Sequence, residues 1–130
     1  MSADNQLVFL IAEDEYNNRL YLDMVLREYA SEVIHAETGK QALEKVSERD
    51  DISMVFMDLK MPDMDGYEAT IKIKMLKPHL PVLAVTAYAM SGDEEKALEA
   101  GCDDYLPKPF STKQILEKLI KFGFVTRPLG

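Results

Sequence analysis

Cysteine, positive charge and long apolar runs are all scarce in this sequence. A single cysteine, Cys102, excludes a disulfide framework and any zinc site built from several thiolates. Lys plus Arg number 15 against 23 for Asp plus Glu, a net charge of −8, which argues against a surface built to meet nucleic-acid phosphates. The longest uninterrupted apolar run, residues 7–12, is far too short to span a bilayer. The first five residues carry no basic charge ahead of that run, so no secretory signal is expected. Internal repeats, low-complexity stretches and interdomain linkers are absent as well. What is present is 130 residues, 47% apolar and 29% charged, enough for one packed, acidic domain. A soluble protein of the reducing cytoplasm is the expectation.

Short β-rich runs alternate with longer stretches of helical period. Residues 7–12 are apolar throughout, as in a strand covered on both faces. Leu22, Val25, Leu26 and Tyr29 then form one helical stripe. A weaker run, Val33 and Ile34, precedes Thr38, which is placed to cap a helix burying Ala42, Leu43 and Val46. The third run, residues 52–57, stops at Asp58, and Lys60-Met61-Pro62-Asp63-Met64-Asp65-Gly66 has the chemistry of a loop. A helix over 67–76 follows, then a fourth run at 81–85 ending at Thr86. A helix over 91–100 closes on Gly101, and a fifth run at 103–106 leads into Pro107-Lys108-Pro109. The last helix is capped by Ser111 or Thr112 and carries Ile115, Leu116, Leu119 and Phe122. Five β–α pairs imply an α/β fold, a doubly wound five-stranded parallel sheet with helices on both faces. The second and fifth runs are the most polar and belong at the edges, which the flavodoxin-like strand order 2-1-3-4-5 satisfies. One domain over 1–130 is expected, with its core at 6–122 and a tail at 123–130. Phe122, Phe124 and Val125 of that end region serve either an interface or packing back onto the domain.

Doubly wound sheets gather chemistry at the carboxyl ends of their strands. Those ends supply Glu13-Asp14, Asp58, Thr86 and, two residues past the fifth run, Lys108. Three ionised carboxylates about 5 Å apart repel by roughly 3 kcal/mol per pair at an effective dielectric near 20. Such a cluster persists if it is protonated or binds a cation. Oxygen ligands without His or Cys suit a hard ion, Mg2+ above all. An acidic hole with one lysine also suits a phosphoryl group under attack by a carboxylate. Taken singly, Asp58 reads as a turn former, Thr86 as an ordinary strand end and Lys108 as a solvated charge. Only their joint placement points to a site. Asp63-Met64-Asp65-Gly66 resembles a phosphatase Asp-x-Asp-Gly motif, but its first Asp lies five residues past the strand end. It also mimics a calcium loop, but that loop would begin at Met61 and end at Lys72, neither of which can serve as a ligand. His35 and His79 stand isolated, Cys102 reads as a small apolar residue, and the eight Met residues read as gap fillers.

In order and on these elements, four motifs resemble the receiver domain of two-component response regulators, the CheY-like family, over residues 6–122. They are Glu13-Asp14, the segment Met57-Asp58-Leu59-Lys60-Met61-Pro62-Asp63-Met64-Asp65-Gly66, Thr86-Ala87, and Lys108-Pro109-Phe110. Asn18-Arg19-Leu20 and Thr86-Ala87-Tyr88-Ala89-Met90 are most similar to receivers of hybrid-kinase phosphorelays. The resemblance implies a signalling module that takes phosphate from a partner's phosphohistidine and catalyses only its own phosphorylation and dephosphorylation. It implies Asp58 as phosphoacceptor, Asp14 as a direct Mg2+ ligand, Glu13 as a ligand through water, and the Lys60 carbonyl as the remaining protein ligand. Lys108 is implied as the partner of the phosphoryl oxygens, with a cis Lys108–Pro109 bond. Thr86 and Tyr105 are implied as the switch pair, coupled to the fourth helix, fifth strand and fifth helix. Lys60 and Tyr88 flank the acceptor, and both are expected to slow dephosphorylation. Glu15 departs from the Asn common in similar receivers. The implied partners are a histidine kinase or histidine phosphotransfer protein, and a downstream target or an attached domain in a longer parent. Dimerisation on phosphorylation is a further state the resemblance allows. The competing reading is a pseudo-receiver that binds partners without phosphorylation. No effector domain follows the last helix, which leaves open a free-standing receiver or a piece of a larger regulator.

Overall fold

A computed structural model describes residues 6–61, 63–86 and 93–126. The elements alternate as β1 (Val8–Ala12), α1 (Tyr16–Leu26), β2 (Glu32–Ala36), α2 (Gly39–Glu48), β3 (Met54–Asp58), α3 (Gly66–Leu76), β4 (Val82–Thr86), α4 (Asp93–Ala100), β5 (Asp104–Pro107) and α5 (Thr112–Lys121). The strands form one sheet in the order β2-β1-β3-β4-β5, and every neighbouring pair is parallel. β1, β3 and β4 are buried along their whole length, as continuous apolar runs require, while β2 and β5 at the edges are only partly covered.

Alternation along the strands divides the core in two. Phe9, Ile11, Met54, Phe56, Leu83, Val85 and Leu106 point to one face, where α1 and α5 contribute Leu22, Leu26, Ile115 and Leu119. Leu10, Ala12, Val55, Met57, Val82 and Ala84 point to the other, beneath α2, α3 and α4 with Val46, Ile73 and Ala97. Phe122, Phe124 and Val125 pack onto the first face, with Phe124 edge-on to Phe9 at 5.7 Å between ring centroids. These three residues therefore pack back onto the sheet.

Local chemistry starts and stops the helices. Thr38 caps α2 by accepting from the Gln41 N–H, Asp65 caps α3, and Ser111 with Gln114 forms a reciprocal capping box on α5. Gly101, at φ +111°, ends α4, with its N–H on the Leu98 carbonyl and the Cys102 N–H on that of Ala97. The Cys102 thiol is buried, its Sγ 3.7 Å from Thr70 Oγ1, and burial pushes it up to about 11, the reverse of a reactive thiolate.

Several expectations shift. α1 closes at Leu26, where the chain tightens into Val25–Glu28 and Leu26–Tyr29 turns, so Tyr29 reaches the core from the turn and not from the helix. Strand bounds follow ladder partners, not hydrophobicity. The β1–β3 ladder opens at Phe9 and Met54, leaving Ile52 buried but outside it. Met24 and Met75 are 63% and 77% exposed, so not every methionine fills a gap. His35 is not isolated, because its Nε2 meets the buried Asp23 carboxylate, which Arg27 also holds.

Candidate functional site

The strand order reverses between β1 and β3, and a crevice opens beyond the carboxyl ends of those two strands. Asp58 is the last residue of β3 and Glu13 follows β1; they are 5% and 1% exposed. Asp14 is exposed at the rim. One carboxylate oxygen from each of Glu13, Asp14 and Asp58 lies within 4.8 Å of the other two. Lys108, just past β5, brings its Nζ to 2.9 Å from Glu13 Oε1 and 3.4 Å from Asp58 Oδ2. The Lys108 N–H donates to the Thr86 carbonyl at 2.6 Å, which ties the lysine's backbone to the end of β4. The Lys108–Pro109 bond is cis.

Backbone donors orient the carboxylates. The Lys60 N–H donates to Asp58 Oδ1 at 3.0 Å, and the Glu15 N–H to Glu13 Oε2 at 3.2 Å. Glycine allows α3 to start directly beside the acceptor: a methyl group on Gly66 would sit 2.3 Å from the Asp58 carbonyl oxygen. The connecting loop runs through left-handed backbone at Asp63 and Met64, and the Asp63 carbonyl accepts from the Lys40 N–H at the start of α2.

The charges are tightly coupled. Burial, a hydrogen bond with Asp58 and the charge of Asp58 together push the Glu13 carboxyl up to about 7, against the opposing pull of Lys108. Burial would lower the Lys108 ammonium, but Glu13 and Asp58 outweigh it and hold the group above its ordinary value. A carboxyl held near neutrality beside two others marks a place where a hard cation would relieve real repulsion. The donor set, all oxygen and partly buried, fits a magnesium-like ion.

The structure thus brings Glu13, Asp14, Asp58 and Lys108 together. Thr86 ends β4 and is fully buried, and Tyr105 lies half-buried on β5 against the face covered by α2, α3 and α4. Lys60 is exposed, and Tyr88 lies outside the described residues. The roles of two residues named in the sequence reading emerge only in the structure. Glu15 caps α1, its Oε1 accepting from the Asn18 N–H at 2.8 Å, so its extra charge serves the helix start. Arg19 donates to the Glu13 carbonyl at 2.9 Å. A carboxylate one residue before a helix signals the cap; nothing local signals the reach of Arg19.

The model of the response regulator receiver domain matches residues 9–120. A hybrid signal transduction histidine kinase of Dictyostelium discoideum is 39% identical over 116 residues, covering 83% of this chain and 7% of that protein, so the chain spans a small part of its length. The polar-differentiation response regulator DivK of Brucella ovis is 34% identical over 117 residues, covering 86% of this chain and 91% of DivK. Among solved structures, the receiver domain of a Pseudomonas aeruginosa sensor histidine kinase, with a magnesium ion coordinated in its active-site cleft, superposes with a TM-score of 0.81 at 32% identity, covering 90% of this chain and 97% of that one. A receiver chain from Saccharomyces cerevisiae, in the co-crystal of the histidine phosphotransfer protein Ypd1 with the receiver domain of its downstream response regulator Ssk1, gives 0.83 at 28% identity, covering 92% of this chain and 90% of that one. Among the described residues, no helix is long and apolar enough to cross a membrane.

Proposed function

Because the chain belongs to the response regulator receiver domains of two-component and phosphorelay systems, we propose that Asp58 is its phosphoacceptor and takes a phosphoryl group from the phosphohistidine of a kinase or histidine phosphotransfer protein. The observation that carries this is the buried Asp58 carboxylate set against Glu13, Asp14 and the Lys108 ammonium in one crevice. An Asp58 oxygen attacks phosphorus, the phosphorus–nitrogen bond breaks, and the imidazole leaves with the electron pair and takes up a proton. Asp58 enters the reaction oriented by the Lys60 N–H, so little motion is needed to bring its second oxygen into line. Lys108 offers a cation to the incoming phosphoryl oxygens. Asp14, Asp58, the Lys60 carbonyl and, through water, Glu13 would hold Mg2+, which when bound supplies charge neutralisation at the phosphoryl group.

Once Asp58 is phosphorylated, Thr86 and Lys108 gain a partner that exists only in that state, which is the differential contact a two-state surface needs. Tyr105, α4, β5 and α5 form that surface in this reading. The Lys60 side chain shields the phosphoryl group from water. The phosphohistidine partner approaches over α1, where Tyr16, Leu20 and Met24 are exposed beside a groove of about 410 Å³ lined by Asn18, Tyr21, Lys108, Pro109 and Phe110. The same reading takes residues 6–122 as the receiver unit with 123–130 as its tail. It also implies a cytoplasmic location, where ATP supplies the kinase.

The test is intact mass after incubation with acetyl phosphate, with and without Mg2+, for the native chain and Asp58→Asn. One Mg2+-dependent phosphoryl adduct, missing from Asp58→Asn, is the expected result. A folded native chain that takes up none with Mg2+ present would overturn the proposal in favour of a phosphorylation-independent binding module.

A further inference from the structure

Building on the cation site proposed above, we infer that Arg19 is its positioning residue, fixing the peptide from which Asp14 departs. The Glu13 N–H is bound by the Ala36 carbonyl at 3.0 Å, and the Glu13 carbonyl by Arg19 Nη1 at 2.9 Å. Both polar groups of the Glu13 backbone are therefore held, one from the neighbouring strand and one from α1. The Glu13 carbonyl shares its rigid plane with the Asp14 nitrogen, so holding one sets the direction of the other. Asp14 is exposed at the rim, and the backbone it leaves is what aims its carboxylate.

Arg19 is itself held for this task. Its side chain is 13% exposed, its Nη2 lies 3.9 Å from Glu37 Oε2 in the β2–α2 connection, and its Cζ sits 5.7 Å from the centre of the Tyr16 ring. The planar fork lets one guanidinium serve the carbonyl and face Glu37 together, which a lysine ammonium reproduces poorly. The arginine links two connections at the carboxyl end of the sheet and braces the acidic loop after β1 against the one after β2. Outer partners of metal ligands commonly govern metal affinity in this way.

The charge of Arg19 predicts the opposite effect, which makes the inference testable. A cation near the acidic cluster repels Mg2+, so a role through charge alone requires Arg19→Gln to bind Mg2+ more tightly. Positioning requires weaker binding, with Kd rising about tenfold. Arg19→Lys keeps the charge and loses the fork, so it too should bind more weakly than the native chain. Mg2+ affinity is measured by titration calorimetry on all three proteins, with melting in EDTA to confirm that each is folded. Native affinity in either folded variant, or tighter binding by Arg19→Gln, overturns the inference while leaving the cation site standing. A native chain that binds no Mg2+ overturns both.

Discussion

In metal-free buffer, stability should fall as pH rises from about 5 to 8, and Glu13 should be the cause. Its carboxyl is raised from an ordinary 4.5 to about 7 by burial and by Asp58, with Lys108 only partly compensating. A carboxyl raised in the folded state binds its proton there more tightly than in the unfolded chain. The stabilisation is complete below 4.5, the unfolded value, and is lost as pH climbs through about 7, where the folded group ionises. The difference between those two values is worth about 3 kcal/mol, using roughly 1.4 kcal/mol per pH unit. For a chain of this length that corresponds to a loss of about 10 °C in melting temperature. Glu13→Gln removes the titrating group while keeping its size. The assay is thermal unfolding in EDTA at pH 5, 6, 7 and 8 for both proteins. The two should nearly coincide at pH 5, with the variant ahead by several degrees at pH 8. Mg2+ should raise the native protein most at high pH, because it favours the ionised cluster. Parallel curves, with the native chain losing no more than Glu13→Gln, would refute the account of the buried carboxyl.

Two further perturbations probe the scaffold that carries the crevice. Gly66→Ala would place a methyl group 2.3 Å from the Asp58 carbonyl oxygen and 2.7 Å from the Leu59 Cα, so it should cost at least about 2 kcal/mol by urea unfolding despite alanine's better helix propensity. Ser111→Ala removes the side chain that accepts from the Gln114 N–H, and should lower stability by about 1 kcal/mol in the same measurement without touching the acidic cluster.

The legible part of the fold is the part written in local patterns. Residues 7–12 carry too few polar groups to face water on either side, and the polar second and fifth runs cannot be central strands; those two facts settle which strands lie at the edges, and the observed order β2-β1-β3-β4-β5 satisfies them. Thr38, Ser111 and Gly101 mark helix limits through chemistry confined to three or four residues. Boundaries were less legible because a strand ends where its partner ends. Ile52 is as apolar as its neighbours yet falls outside the ladder, since β1 offers no residue to pair with it.

The acidic cluster lies between these cases. Glu13, Asp14, Asp58 and Lys108 stand at strand ends in the sequence, and topology alone requires strand ends to meet. Composition and periodicity therefore determined an acidic, doubly wound sheet with carboxylates and a lysine gathered at one end. Contacts between groups on different elements were decided only by tertiary structure. Asp23 and His35 meet because α1 packs beside β2, and Arg19 reaches the Glu13 carbonyl because α1 begins at Tyr16 and turns its third residue after that toward β1. Glu13 is driven toward neutrality by burial, a property of the surrounding atoms and not of the residue. Hydrophobic period is a property of the chain and can be read along it. Desolvation and the reach of a single side chain exist only once the elements have packed.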